Sequence, residues 1–118
     1  MSPAFNAPLV LLMQNFFTIS FLIFLGICIY LYRAKSKYLL ALLPLLALSS
    51  HQFEEYVLSP LLFGDFYHFL NWAYRNGMDI SPMEVTLLNL TPYLILLPAL
   101  VISSCLLYTS DAADEGLG

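Results

Sequence analysis

His51, Glu54 and Glu55, in the stretch HQFEEY, are the residues of this chain whose types and spacing best suit chemistry. On a helix the positions i, i+3 and i+4 fall within a sector of roughly 100°, so the imidazole and both carboxylates share one face. A neutral imidazole with hard oxygen donors suits a divalent metal such as Zn, Fe or Mn, and this spacing lets all three reach one ion. The same groups could relay protons, or bridge neighbouring helices as a polar clamp. All three readings stay open at the level of sequence. Further metal ligands would have to come from His68, Asn71 or Asn89, or from residues beyond this chain. Catalysis, if present, would draw on the acid–base capacity of these groups toward a lipid or small apolar substrate.

These charges follow an apolar run, YLLALLPLLALSS. An acidic side chain near the centre of a bilayer costs ~3 kcal/mol on insertion scales, and neighbouring like charges raise each other's pKa. Two bare carboxylates facing lipid are therefore expensive. Partial protonation, pairing with His51, a wet cavity or a bound cation would each relieve them.

The elements that must position these residues are written in the composition. The chain of 118 residues is 60% hydrophobic and 10% charged, with a mean hydropathy of +0.80, whereas about 25% of the residues in a soluble domain are charged. The expected class is all-α: an integral membrane bundle with three transmembrane helices at about 8–32, 38–58 and 82–104. A short interfacial helix is expected at about 64–75. Helices are required because a lipid-embedded segment must satisfy its own backbone hydrogen bonds. The first span, about 25 residues before Arg33, is longer than a cleavable signal's apolar region and lacks a basic leader. No phosphate-binding glycine loop, nucleophile elbow or basic nucleic-acid face is present, so a nucleic-acid partner is not expected. The expected partner is the lipid bilayer itself.

RAKSK, between the first two spans, holds three of the four basic residues, Arg33, Lys35 and Lys37. The positive-inside bias makes this turn cytoplasmic, and the amino terminus and the 59–81 connection extracytoplasmic. HQFEEY then lies in the outer half of the bilayer, with His51 ~10 Å inside the end of its span at Leu58. In the connection, Phe66, Phe69, Leu70 and Ala73 mark an apolar helix face, with Tyr67, Trp72 and Tyr74 as headgroup-level anchors. SPME predicts a helix start, with Ser81 as N-cap, Pro82 at the first position and Glu84 completing a capping box. Gln14, Asn15 and Thr18 on the first helix and Asn89 and Thr91 on the third lie at comparable depth. A polar helix-packing layer is expected there.

The last residues change character. CLLYTSDAADE, Cys105 to Glu115, resembles the translation of a transposon-type sequencing adapter over eleven consecutive residues in one frame. The expected membrane domain is therefore 1–104, with 105–118 adapter-derived and a fourth helix in the intact protein. Asp111, Asp114 and Glu115 are three of the eight acids, so the remainder carries a net charge of −1 rather than −4. The acidic balance then says nothing about partners. Cys28 is left as a lone small hydrophobe, and no disulfide or zinc framework follows from it.

HQFEEY resembles the signature of the HXXEE family of integral membrane proteins, in which a histidine and two glutamates are separated by two variable residues. His51, Glu54 and Glu55 match the named positions, and YVLSPLLFGDF resembles a branch in which the motif is followed by a short loop and asparagine-bearing segments. Asn71 and Asn89 would be those asparagines. The resemblance implies a small multi-helix membrane protein with a polar site, and supplies no substrate.

Overall fold

The computed structural model describes residues 7–117, with side chains through Thr109. The described residues are helical and contain no strand. Helix α1 spans Pro8–Arg33, close to expectation, and starts with proline at its first position, where the missing N–H has no helical partner to lose. It ends in a Schellman turn: Ser36 N–H reaches the Leu31 carbonyl and Lys35 N–H the Tyr32 carbonyl, with Lys35 left-handed at φ 55°. The basic turn thereby reverses the chain into α2, Leu39–Phe53.

The second expected span is not a uniform helix. A π turn occupies Glu54–Leu58 and a short α3, Ser59–Phe63, continues from it. Proline explains the change. Pro60 has no N–H to give the Tyr56 carbonyl, and its ring crowds that oxygen. The ladder shifts by one residue, and Ser59 N–H bonds to Glu54 O instead. At 15 residues, α2 alone rises ~22 Å, less than a ~30 Å hydrocarbon core. Among the described residues, two helical stretches are long and apolar enough to cross a membrane, Pro8–Arg33 and Pro82–Thr109.

A 3₁₀ turn at Asp65–Tyr67 leads into α4, Phe69–Arg75. The single interfacial helix expected at 64–75 is thus interrupted at His68, which is extended and caps α4 by accepting the Leu70 N–H on its ring. The break changes which face is buried: Leu70, Asn71 and Ala73 pack inward while Phe66 is exposed. Helix α5, Pro82–Leu117, begins as SPME predicts, with Ser81 Oγ accepting the Glu84 N–H at 3.1 Å. It continues past the boundary expected at 104, through a stretch whose alanines and glutamate are good helix formers.

Side-chain register gives the topology. Phe17 meets Tyr56 and Phe21 stacks on Phe53, so α1 and α2 run antiparallel. Asn89 meets Tyr56 and Tyr93 meets Gln52, so α5 runs antiparallel to α2 and alongside α1. The core lies at the end away from the basic turn, where Val10, Met13, Phe17, Tyr56, Leu70 and Val85 pack together. Toward the other end the apolar side chains turn outward. Only 6% of the apolar window of α5 is buried, the reverse of what a core helix in a water-soluble protein requires, because large contiguous apolar surface is unstable in water.

Candidate functional site

The second helix is two-faced. Leu42, Leu45, Ser49, Gln52 and Tyr56 alternate spacings of three and four and are all buried. Pro44, Ala47 and His51 occupy the opposite side and are exposed. The HQFEEY turn therefore divides its polar groups: Gln52 and Tyr56 enter the bundle, and His51, Glu54 and Glu55 stay outside it.

On the inner side the side chains form a continuous hydrogen-bonded chain. Tyr93 Oη donates to Gln52 Oε1 at 2.9 Å, and Gln52 Nε2 donates to the Asn89 carbonyl at 2.8 Å. Asn89 Nδ2 donates to Tyr56 Oη and to the Val85 carbonyl, each at 2.8 Å. Two helices are thus joined by three side-chain bonds within one to two turns. Tyr56 is the hub: its ring lies 5.3 Å from Phe17, 5.5 Å from His68 edge-on and 5.5 Å from Phe69. Among the described residues no buried side-chain nitrogen or oxygen lacks a partner, which a low-dielectric interior demands.

His68 extends this layer outward. It is fully buried, and because Leu70 N–H must donate, Nδ1 is the accepting nitrogen and Nε2 carries the proton. Nε2 then donates to Gln14 Oε1 at 3.1 Å, tying the connection to α1. Burial pushes the imidazole pKa down to about 4, with the nearby Asp65 carboxylate opposing the shift. The neutral ring is a structural strut. Asn71, also buried, donates through Nδ2 to the Asp65 carbonyl and closes the 3₁₀ turn onto α4.

On the outer side His51 Nε2 lies 3.2 Å from Glu55 Oε2, with the two side chains 69% and 31% exposed. Glu54 is exposed and accepts from Ser59 Oγ at 3.2 Å. Of the three residues expected to act on one ion, the histidine and one glutamate are brought together, and the other glutamate turns along the chain to Ser59. His68 has both nitrogens engaged, and Asn71 and Asn89 hold backbone and Tyr56. Among the described residues no group of three His, Cys, Asp or Glu side chains gathers as a metal site.

The expected polar layer is present in altered membership. Gln14 and Asn89 belong to it. Thr18 and Thr91 return their hydroxyls to the carbonyls of Gln14 and Leu87 on their own helices, and Asn15 is exposed. Gln52, Tyr56 and Tyr93 are the residues missed. The signal for the first two is the stripe Leu42, Leu45, Ser49, Gln52, Tyr56, a packing seam spaced as in a coiled coil. Comparison of the chain with known family models, curated proteins and solved structures finds no match.

Proposed function

We propose that this chain is a multi-pass membrane protein of HXXEE type, in which HQFEEY is primarily an interhelical clamp that holds a surface site at one end of the bundle. The observation that carries this reading is the bonded sequence Tyr93, Gln52, Asn89, Tyr56, which joins α2 and its π turn to α5. In a bilayer, where hydrophobic surface gives neighbouring helices little reason to associate, such bonds and close packing are what fix the pairing. The outward apolar faces of α1 and α5 meet lipid, and the unbroken run from Leu39 to Phe63 completes a third crossing despite its π turn.

The basic turn at Arg33, Lys35 and Lys37 lies on the cytoplasmic side, leaving α4 and the His51–Glu55 pair at the outer surface. The π turn supports a site at this place, since such turns are retained inside helices mostly where function needs a displaced side chain. Elemental analysis of the purified full chain beside His51→Ala tests the reading against a resident Zn, Fe or Mn centre. Less than a tenth of an equivalent in both proteins is expected. A stoichiometric metal in the parent that disappears in the variant would overturn the clamp as the main role of the motif. Labelling of cysteines placed singly at Ser36 and at the exposed Asp79, in a chain whose Cys28 and Cys105 are replaced, tests the orientation, with reaction from outside expected at position 79 only.

A further inference from the structure

Glu55 also borders an open cleft. A cavity of about 320 Å³ is bordered by Glu55, Tyr67, Phe69, Trp72 and Arg75. One acidic and one basic residue thus border the same cleft as three aromatic residues. Each charge is anchored on its own side: Glu55 by His51 at 3.2 Å, and Arg75 by donation to the Phe66 carbonyl at 2.7 Å. Arg75 is further fixed by its position 3.7 Å over the Phe66 ring. Each of the two side chains therefore has a partner of its own beside the cleft.

We propose that this cleft binds the headgroup of a zwitterionic phospholipid. The ammonium end fits against Glu55 and the aromatic faces, which attract cations through their ring quadrupoles. The phosphodiester fits against Arg75, whose remaining N–H groups match phosphate oxygens in a planar fork. Phe69 and Trp72, stacked at 5.9 Å, give the glycerol and upper chain an apolar wall. A purely anionic lipid meets the Glu55 carboxylate and is disfavoured. The assignment rests on the reading that this end of the bundle lies at a membrane surface, and the cleft gives that surface site a ligand class.

Trp72 is the single tryptophan of the chain, so its fluorescence reports on the cleft. The full chain in neutral detergent is titrated with monomeric short-chain phosphatidylethanolamine, phosphatidylcholine and phosphatidylglycerol, and with free phosphocholine. A saturable change with both zwitterionic lipids is expected, with phosphatidylglycerol and free phosphocholine at least ~10-fold weaker. Arg75→Gln and Glu55→Gln are each expected to weaken zwitterionic binding about 5-fold or more, and Glu55→Gln to narrow the gap to phosphatidylglycerol. Arg75→Lys should retain part of the affinity, and circular dichroism melting checks that each variant is folded. Equal response to phosphatidylglycerol, or folded variants that bind as the parent does, would overturn the proposal. Free phosphocholine binding as tightly as the lipids would assign the cleft to a soluble ligand and overturn it equally. Alkaline carbonate extraction of the chain from membranes tests the membrane reading separately, and the titration with monomeric lipid is read whichever way that falls.

Discussion

His51 and Gln52 are adjacent in sequence and face opposite sides of one helix, with the His51 side chain 69% exposed and Gln52 2% exposed. The stability of the bundle therefore depends on the variable residue of the motif more than on its histidine. Replacing Gln52 by Leu removes a donor and an acceptor from a buried chain and leaves the Tyr93 hydroxyl without its acceptor. A loss of about 1–3 kcal/mol is expected, the range for an unsatisfied buried polar group. His51→Ala should change stability by no more than ~0.5 kcal/mol, as for an exposed pair. Thermal unfolding of both variants in the same detergent decides the order, and a larger loss in His51→Ala would reverse the assignment of faces.

Tyr56 and Asn89 offer a sharper measurement, because one bond of 2.8 Å joins them across the helix interface. In a double-mutant cycle with Tyr56→Phe and Asn89→Ala, a coupling of about 0.6 kcal/mol is expected, with ~1.7 kcal/mol as the upper end for such bonds in membranes. Additive effects would mean that the bond contributes nothing beyond packing.

The pH dependence follows from His68. Its folded pKa of about 4 lies below the ordinary 6.5, so between these values the unfolded chain binds more protons than the folded one. Stability contributed by the neutral ring is present above pH 6.5 and is lost as pH falls toward 4. Below that, both states are protonated and the slope from this residue vanishes. His68→Gln, which keeps a polar group opposite Gln14, should flatten the melting temperature between pH 6.5 and 4 while lowering it at neutral pH. An unchanged slope would place the titration elsewhere.

The legible parts of the fold were those set by strong local physics. The uninterrupted apolar run ahead of Arg33, the basic turn and the Ser81 cap mark α1 and the start of α5 within a residue or two. The direction in which HQFEEY faces is less legible, because the helix carries a charged stripe, His51, Glu54 and Glu55, beside the neutral polar side chains of Ser49, Gln52 and Tyr56. Charge is the louder signal and the 3–4 spacing of Leu42, Leu45, Ser49, Gln52 and Tyr56 the truer one, since packing seams are chosen by shape and continuity. The interruption at His68 was hidden for a different reason. An apolar periodicity through Phe66, Phe69, Leu70 and Ala73 cannot show that a histidine ring will compete for the Leu70 N–H and end the pattern.

Pro60 provides the remaining prediction, because it accounts for the π turn that separates the two faces. With alanine there, residue 60 regains an N–H that can reach the Tyr56 carbonyl, and the five-residue turn at Glu54–Leu58 can close to an ordinary α turn. Tightening the turn by one residue of hydrogen-bond register, at unchanged chain length, rotates everything beyond it by about 100° and shifts it by ~1.5 Å. Gln52 and the upstream helix are held by Asn89, so the displacement falls on the downstream connection. His68 would then leave Gln14 and the edge of Tyr56. Hydrogen exchange at the Leu70 amide, which His68 Nδ1 accepts at 3.1 Å, should accelerate by about 10-fold in Pro60→Ala, equivalent to ~1.4 kcal/mol of lost local protection. Leu61→Ala, at a neighbouring position that is 76% exposed, serves as the control and should leave that amide unchanged. Equal protection at Leu70 in the parent and in Pro60→Ala would show that the π turn is held by the packing around Tyr56 and not by the proline.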